Sequence, residues 1–215
     1  MDAALVEFGA KGFTGASTRA IARRANAHQP QINYHFASKR ALWNAALEHL
    51  FALLGDAMGG VVVPPRTGRR HDVQALADAF AEGIRCFVRF AAAHPELNRI
   101  VVHEATAASE RLRWMTKRHV RPFYETVRAL WRPLRAAGIA APIDEKLVHY
   151  VLVGAASLPY VNAPEARLLT GAEPTDPAWV EAHADALVAT LLPGRTERPR
   201  AARREVAFAR RRRTK

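Results

Sequence analysis

Apolar residues recur every three or four positions through most of this chain and nowhere alternate singly over any length, a pattern that predicts helices and no strands. A first helix is expected over residues 2–10, with Leu5, Val6 and Phe8 apolar and Gly12 ending it in a left-handed cap from which Phe13 folds back. Ser17 is a natural N-cap for a second helix, which buries Ile21 with Ala22 and Ala25. Asn26 then stands at a tight turn, where a left-handed residue is needed and Asn is the best choice after glycine. Pro30 suits the first turn of a third helix, where its missing N–H costs nothing, and Ile32 and Phe36 form that helix's buried edge. Ser38 caps a fourth helix running to about Met58, with Leu42, Ala46, Leu47, Leu50 and Leu54 inward.

Gly59-Gly60, Pro64-Pro65 and Gly68 predict a loop, after which the pattern changes scale. Val73, Leu76, Phe80, Ile84 and Phe87 mark a strong helix, and Pro95 opens a short one holding Leu97, Ile100, Val101 and Glu104. A long pattern follows through Leu112, Met115, His119, Phe123, Val127, Leu130 and Leu134, with a kink expected at Pro122 and closure by Gly138 and Pro142. Leu147, Val148, Val151, Leu152, Ala155 and Leu158 predict the next helix, ending near Pro159. A loop rich in Pro, Gly and Thr leads to a last helix over residues 177–192. The expected fold is all-α, about nine helices in two unequal parts: a head over residues 1–55 and a larger helical region over 56–193.

Charge changes this picture only at one end. The formal charge is +12, but residues 194–215 hold ten Arg and Lys against two Glu, a net +8, which leaves +4 for residues 1–193. That segment reads as a solvated, disordered tail, with a sequence-blind phosphate grip as its functional alternative. The single cysteine, Cys86, excludes an internal disulfide and a Cys-rich zinc site, and lies on an apolar helical stripe. With no charged-then-apolar leader and no apolar run of about 18 residues, a cytoplasmic, nucleoid-associated protein without a membrane partner is expected. His103-Glu104, His119 and His149 lack metal-ligand spacing, and no nucleophile–base pair or phosphate-binding glycine loop is present. No enzyme, metal or cofactor is therefore expected.

Residues 17–36 have the layout of a helix-turn-helix, which places one helix in the major groove of DNA. Phe-x-x-x-Gly-Phe at 8–13, Ala-Ile-Ala at 20–22, Tyr-His-Phe at 34–36 and Ser-Lys-x-x-Leu at 38–42 together resemble the DNA-binding domain of the TetR family of bacterial transcriptional regulators. The resemblance covers residues 1 to about 55. It implies a homodimer on a palindromic operator, usually repressing, released when a small-molecule inducer enters the larger domain. It also implies Thr18 as a phosphate contact and Arg19 as a base or phosphate contact. Gln29, Pro30, Gln31 and Asn33 fall where base edges are met, and Tyr34, His35 and Lys39 where phosphates are. These side chains suit the roles: Gln and Asn pair bidentately with adenine, Pro meets a thymine methyl, and the Arg fork suits guanine. Three positions depart from the family pattern. Only seven residues precede Phe8, where a longer basic arm is usual. Asn26 stands for the turn glycine, and Asn33 for the aromatic, leaving open whether it or Tyr34 reaches phosphate.

A ligand cavity between the middle helices is expected from His94, Asn98, His103, Glu104, Trp114, Met115, His119, Phe123 and Tyr150, with plain core as the alternative for each. A two-fold interface is expected on the last two helices, from Val148, Leu152, Ala155 and Ala156 with Val180, Ala184, Leu187, Val188 and Leu191. The rival function is a non-enzymatic helical interaction module whose basic tail binds nucleic acid non-specifically.

Overall fold

The computed structural model describes residues 1–61 and 70–195; the loop expected at Pro64-Pro65 and Gly68 lies outside the described residues. Among the described residues the chain forms eleven α-helices, one π-helical turn and no strand. The first four are α1 (Asp2–Gly15), α2 (Thr18–Arg24), α3 (Gln29–His35) and α4 (Lys39–Met58). Then come α5 (Arg70–Ala93), α6 (Pro95–Ala105), α7 (Glu110–Met115), a π-helical turn (Thr116–Val120) and α8 (Arg121–Ala136). The chain closes with α9 (Val148–Val161), α10 (Ala163–Thr170) and α11 (Pro177–Leu191).

The head is organised as its sequence predicts, with Ala25 exposed rather than buried after α2 and two corrections in α1. Val6 is exposed, and Glu7 takes a buried place beside Leu5 and Phe8. Its carboxylate accepts from Lys11 Nζ at 2.9 Å and from the Ser17 N–H at 3.4 Å. The Lys11 hydrogen bond, helped by that N–H, holds the carboxyl below its ordinary pKa in spite of burial. Gly12 is not a left-handed cap but a break within α1. Its φ of 64° and ψ of −179° fall in a region essentially reserved for glycine, and a last turn of helix continues to Gly15.

In the larger region α5 is the central rod, packed by α4, α6, α8, α9 and α11. Phe80 and Trp131 tilt together 5.6 Å apart, and Trp131 donates from Nε1 to the Ile143 carbonyl at 3.0 Å. Ion pairs fasten α11 to α5: Arg85 to Asp185 at 3.0 Å, and Arg89 to both carboxylate oxygens of Glu181 at 2.6 and 2.8 Å.

The helix count rises above nine for two reasons. The long periodic run is divided by the π-helical turn just before Pro122, which occupies the first turn of α8. A proline has no N–H to return to the preceding turn, and widening that turn accommodates the loss without a sharp stop. Further on, α9 continues through Pro159, and α10 fills part of the expected loop until Gly171 caps it at φ 68°. Leu168 and Leu169 on α10 are exposed, so no buried stripe marked it in the sequence.

Eight of the nine residues expected at a two-fold interface are interior instead. Val148, Leu152 and Ala156 of α9, and Val180, Ala184, Leu187, Val188 and Leu191 of α11, are buried within this one chain; Ala155 is exposed. Both helices turn their apolar faces inward toward α5. The start of the expected tail is also anchored. The Gly194 N–H donates to the Ile139 carbonyl at 3.0 Å and Arg195 pairs with Asp78 at 3.1 Å; residues 196–215 lie outside the described residues.

Candidate functional site

Helices α2 and α3 meet through a turn in which Asn26, at φ 51°, is the one non-glycine residue with positive φ among the described residues. Its short amide tolerates that conformation, as the sequence suggests. Ser17 Oγ accepts from the Ala20 N–H at 3.4 Å to start α2. Ile21 is buried, and Ile32 and Phe36 pack against the same core, so the opposite side of α3 is left to solvent. Tyr34 is 87% exposed there, beside exposed Pro30, Gln31 and His35. Thr18 is half-buried, and the side chain of Asn33 lies outside the described ones.

The glutamine amides are not idle. Arg19 donates from Nε to Gln29 Oε1 at 3.3 Å, and the His28 N–H donates to Gln31 Oε1 at 2.9 Å, closing the first turn of α3. Both carbonyl oxygens accept a hydrogen bond inside the head, and each keeps a second lone pair for a further donor. Lys39 is also held: Nζ donates to the Thr14 carbonyl at 3.2 Å and stands 4.9 Å from the Phe13 ring centre. Two of its three N–H donors stay available.

Phe13 is the centre of the seam between head and body. Its ring packs edge-on to Trp43 at 6.1 Å, and the Arg111 guanidinium from α7 lies 4.0 Å from its centre. Arg111 in turn donates to both oxygens of buried Glu104 at 3.1 Å. Nearby, α1 crosses α6 so closely that a Cβ on Gly9 would lie 3.0 Å from Glu96 Cβ and 3.3 Å from its Cα.

The other side of α6 faces an apolar cavity between α4, α5, α6, α8 and α9, holding about 560 Å³ of atom-free space with its mouth included. Phe51, Leu54, Phe87, Ala91, Leu97, Val101, Val120, Phe123 and Val153 form the walls; the polar side chains are His94, Asn98, His149 and Ser157. His94 Nδ1 lies 2.9 Å from Glu96 Oε1. His149 is buried, its Nδ1 has no hydrogen-bond partner within the chain, and burial pushes its pKa below the ordinary range.

Two stretches match described families. Residues 1–46 match "Bacterial regulatory proteins, tetR family", and residues 77–191 match "Tetracyclin repressor-like, C-terminal domain", more than half of the chain. The chain belongs to the TetR family. It is a DNA-binding transcriptional regulator. No protein of curated function matches it in sequence. Solved structures share its fold at low identity. A Clostridium perfringens protein described as a regulator of fatty acid metabolism is 14% identical over 92% of this chain and 98% of its own, with a TM-score of 0.68. AibR, solved with isovaleryl coenzyme A and operator DNA, is 15% identical over 89% and 95%, with a TM-score of 0.67. A TetR/AcrR-family regulator from Thermobifida fusca YX-ER1 is 20% identical over 91% and 96%, with a TM-score of 0.57.

Within this TetR-family body the structure sorts the nine expected pocket residues. His94, Asn98 and Phe123 line the cavity. His103 and Glu104 point to the opposite side of α6 and line a separate polar cleft with Lys11, Phe13, Thr14 and Arg111. Met115 is buried core. Trp114 packs on Trp43 at 5.7 Å, and His119 stacks on Phe51 at 4.4 Å, behind the cavity wall. Tyr150 is 71% exposed on the outer side of α9. The spacing of α6 explains the division: Leu97, Asn98 and Val101 share one face, while Glu96 and His103 face α1. His149 and Ser157 were missed as pocket residues, although their spacing of eight on one helix puts them on one face. The Phe13–Arg111 stack joins residues far apart in sequence and leaves no local signal.

Proposed function

We propose that this chain represses transcription as a homodimer on a palindromic operator, acting at the nucleoid in the cytoplasm, and lets go when a mostly apolar small molecule enters the cavity beside α6. In this reading residues 1–55 grip DNA and residues 56–193 bind ligand and dimerise. Arg19, Gln29, Pro30, Gln31 and Asn33 meet base edges; Thr18, Tyr34, His35 and Lys39 meet phosphates. The observation that carries the reading is the double duty of α6, which lines the cavity with Leu97, Asn98 and Val101 and holds α1 of the head through Glu96. A ligand that fits better when α6 is displaced draws the population toward heads held at the wrong separation.

Two DNA heads must sit about 34 Å apart to read successive major-groove half-sites. The outer face of α9 offers the surface for this: Leu147, Tyr150, Val151, Gly154, Ala155 and Leu158 are exposed at helical spacing. Exposed Ala182, Ala186 and Ala189 of α11 add small side chains that permit close approach. Leu158→Asp is expected to give monomers in analytical ultracentrifugation and to weaken operator binding at least tenfold. An unchanged dimer would place the interface elsewhere.

A mobility-shift titration with the DNA upstream of this coding sequence tests the whole reading. A salt-sensitive complex that outcompetes random DNA is expected. Truncation after Arg195 is expected to preserve that selectivity, because base readout belongs to α2 and α3; total loss of binding on truncation would favour the module with a nucleic-acid-binding tail.

A further inference from the structure

The cavity beside α6 holds more chemical information than its apolar walls. Its polar groups gather from three places: His94 precedes α6, Asn98 lies on α6, and His149 and Ser157 lie on α9. None of the lining residues is Lys or Arg. The carboxylate adjoining this polar end, Glu96, is bonded to His94.

We infer that the cavity takes an uncharged amphiphile, an aliphatic or aromatic body carrying one hydroxyl-type group that hydrogen-bonds to the His149 ring, which turns to bring its sealed Nδ1 to the cavity; the inference rests on the cavity being the regulator's ligand site. The orphaned ring nitrogen is the first reason. A buried polar atom without a partner is costly, and a ligand that supplies one recovers that cost on binding. A hydroxyl both donates and accepts, so it satisfies Nδ1 in either tautomer of the neutral ring. Desolvation keeps the ring in that neutral form, so it gives no counter-charge to an anionic ligand.

Charge is the second reason. An ionised carboxylate or phosphate buried here would meet only amide, hydroxyl and imidazole groups, with Glu96 adjoining the polar end. Moving such an ion out of water without a cation costs more than the apolar walls return. An ammonium would meet no lining carboxylate.

Three probes of equal chain length separate these chemistries in the full-length protein: 1-octanol, octanoate and octylammonium, with toluene as a probe lacking a polar end. Binding is measured by isothermal titration at pH 8, and operator release by fluorescence anisotropy in parallel. 1-Octanol is expected to bind at least tenfold more tightly than either ion. His149→Phe is expected to weaken 1-octanol at least tenfold while toluene stays within twofold, which also reports an intact cavity. His149→Gln is expected to recover part of the loss. Octanoate or octylammonium binding as tightly as 1-octanol, unchanged 1-octanol affinity in His149→Phe, or no binding of any probe would each overturn the inference. 1-Octanol binding without operator release would uphold the ligand chemistry and count against the release mechanism alone. Failure of the regulator reading would appear separately, as no operator complex in probe-free samples.

Discussion

Trp43→Ala is expected to destabilise the protein by about 3–5 kcal/mol, the cost of removing a large aromatic side chain from a close-packed interior. The ring is fully buried, edge-on to Phe13 in the head and tilted against Trp114 in the body. Alanine would leave a cavity where α1, α4 and α7 converge. Trp43 contributes by packing alone, since its Nε1 is buried with no hydrogen-bond partner. Trp43→Phe removes that N–H, whose desolvation costs about 1–3 kcal/mol, and keeps an aromatic ring in place, so about half the alanine penalty or less is expected. Urea unfolding of the three proteins checks this. Equal penalties for Ala and Phe would show that the indole is held by something other than its packing.

The second large effect belongs to DNA recognition. Arg19→Ala is expected to cost about 1–3 kcal/mol per half-site, felt twice in a two-fold complex, and to relax base preference at one position of each half. The loss has two origins. The guanidinium fork goes, and so does the N–H that ties Gln29 Oε1, leaving the glutamine free to rotate. Freed, its amide can reorient toward an adenine edge, so the variant is expected to shift its relative preference toward adenine. Selection from randomised operators reads both changes. A uniform loss across all sequences would make Arg19 a phosphate contact.

Much of the head could be read directly from residues. Ser17, Asn26, Pro30 and Ser38 each answer a local backbone need, and local needs leave local signatures. Asn26 does take the left-handed conformation, and α3 does turn Tyr34 and His35 to solvent. Gly12 shows the limit: glycine signals an unusual backbone but not which one, and here it breaks α1 without ending it. The body was harder because apolar periodicity identifies a face and not what covers it. Val148, Leu152, Val188 and Leu191 are expected at an interface from their apolar faces, and packing onto α5 makes them core instead. The cavity depended on which turn of α6 faces which way, a tertiary fact that put His94 and Asn98 inside and His103 and Glu104 outside.

The contact of Gly9 with Glu96 has an evolutionary consequence. No side chain on Gly9 cushions the approach of the two helices there, so movement of α6 passes to the head without slack. In the proposed mechanism the wall that meets the effector is on the far side of the same helix. Substitutions at Leu97, Asn98 or Val101 can therefore retune which molecule is sensed while the transmission is inherited unaltered. A chain wired in this manner is a ready chassis for biosensors, in which new effectors are bred into one wall and the promoter it answers to stays the same.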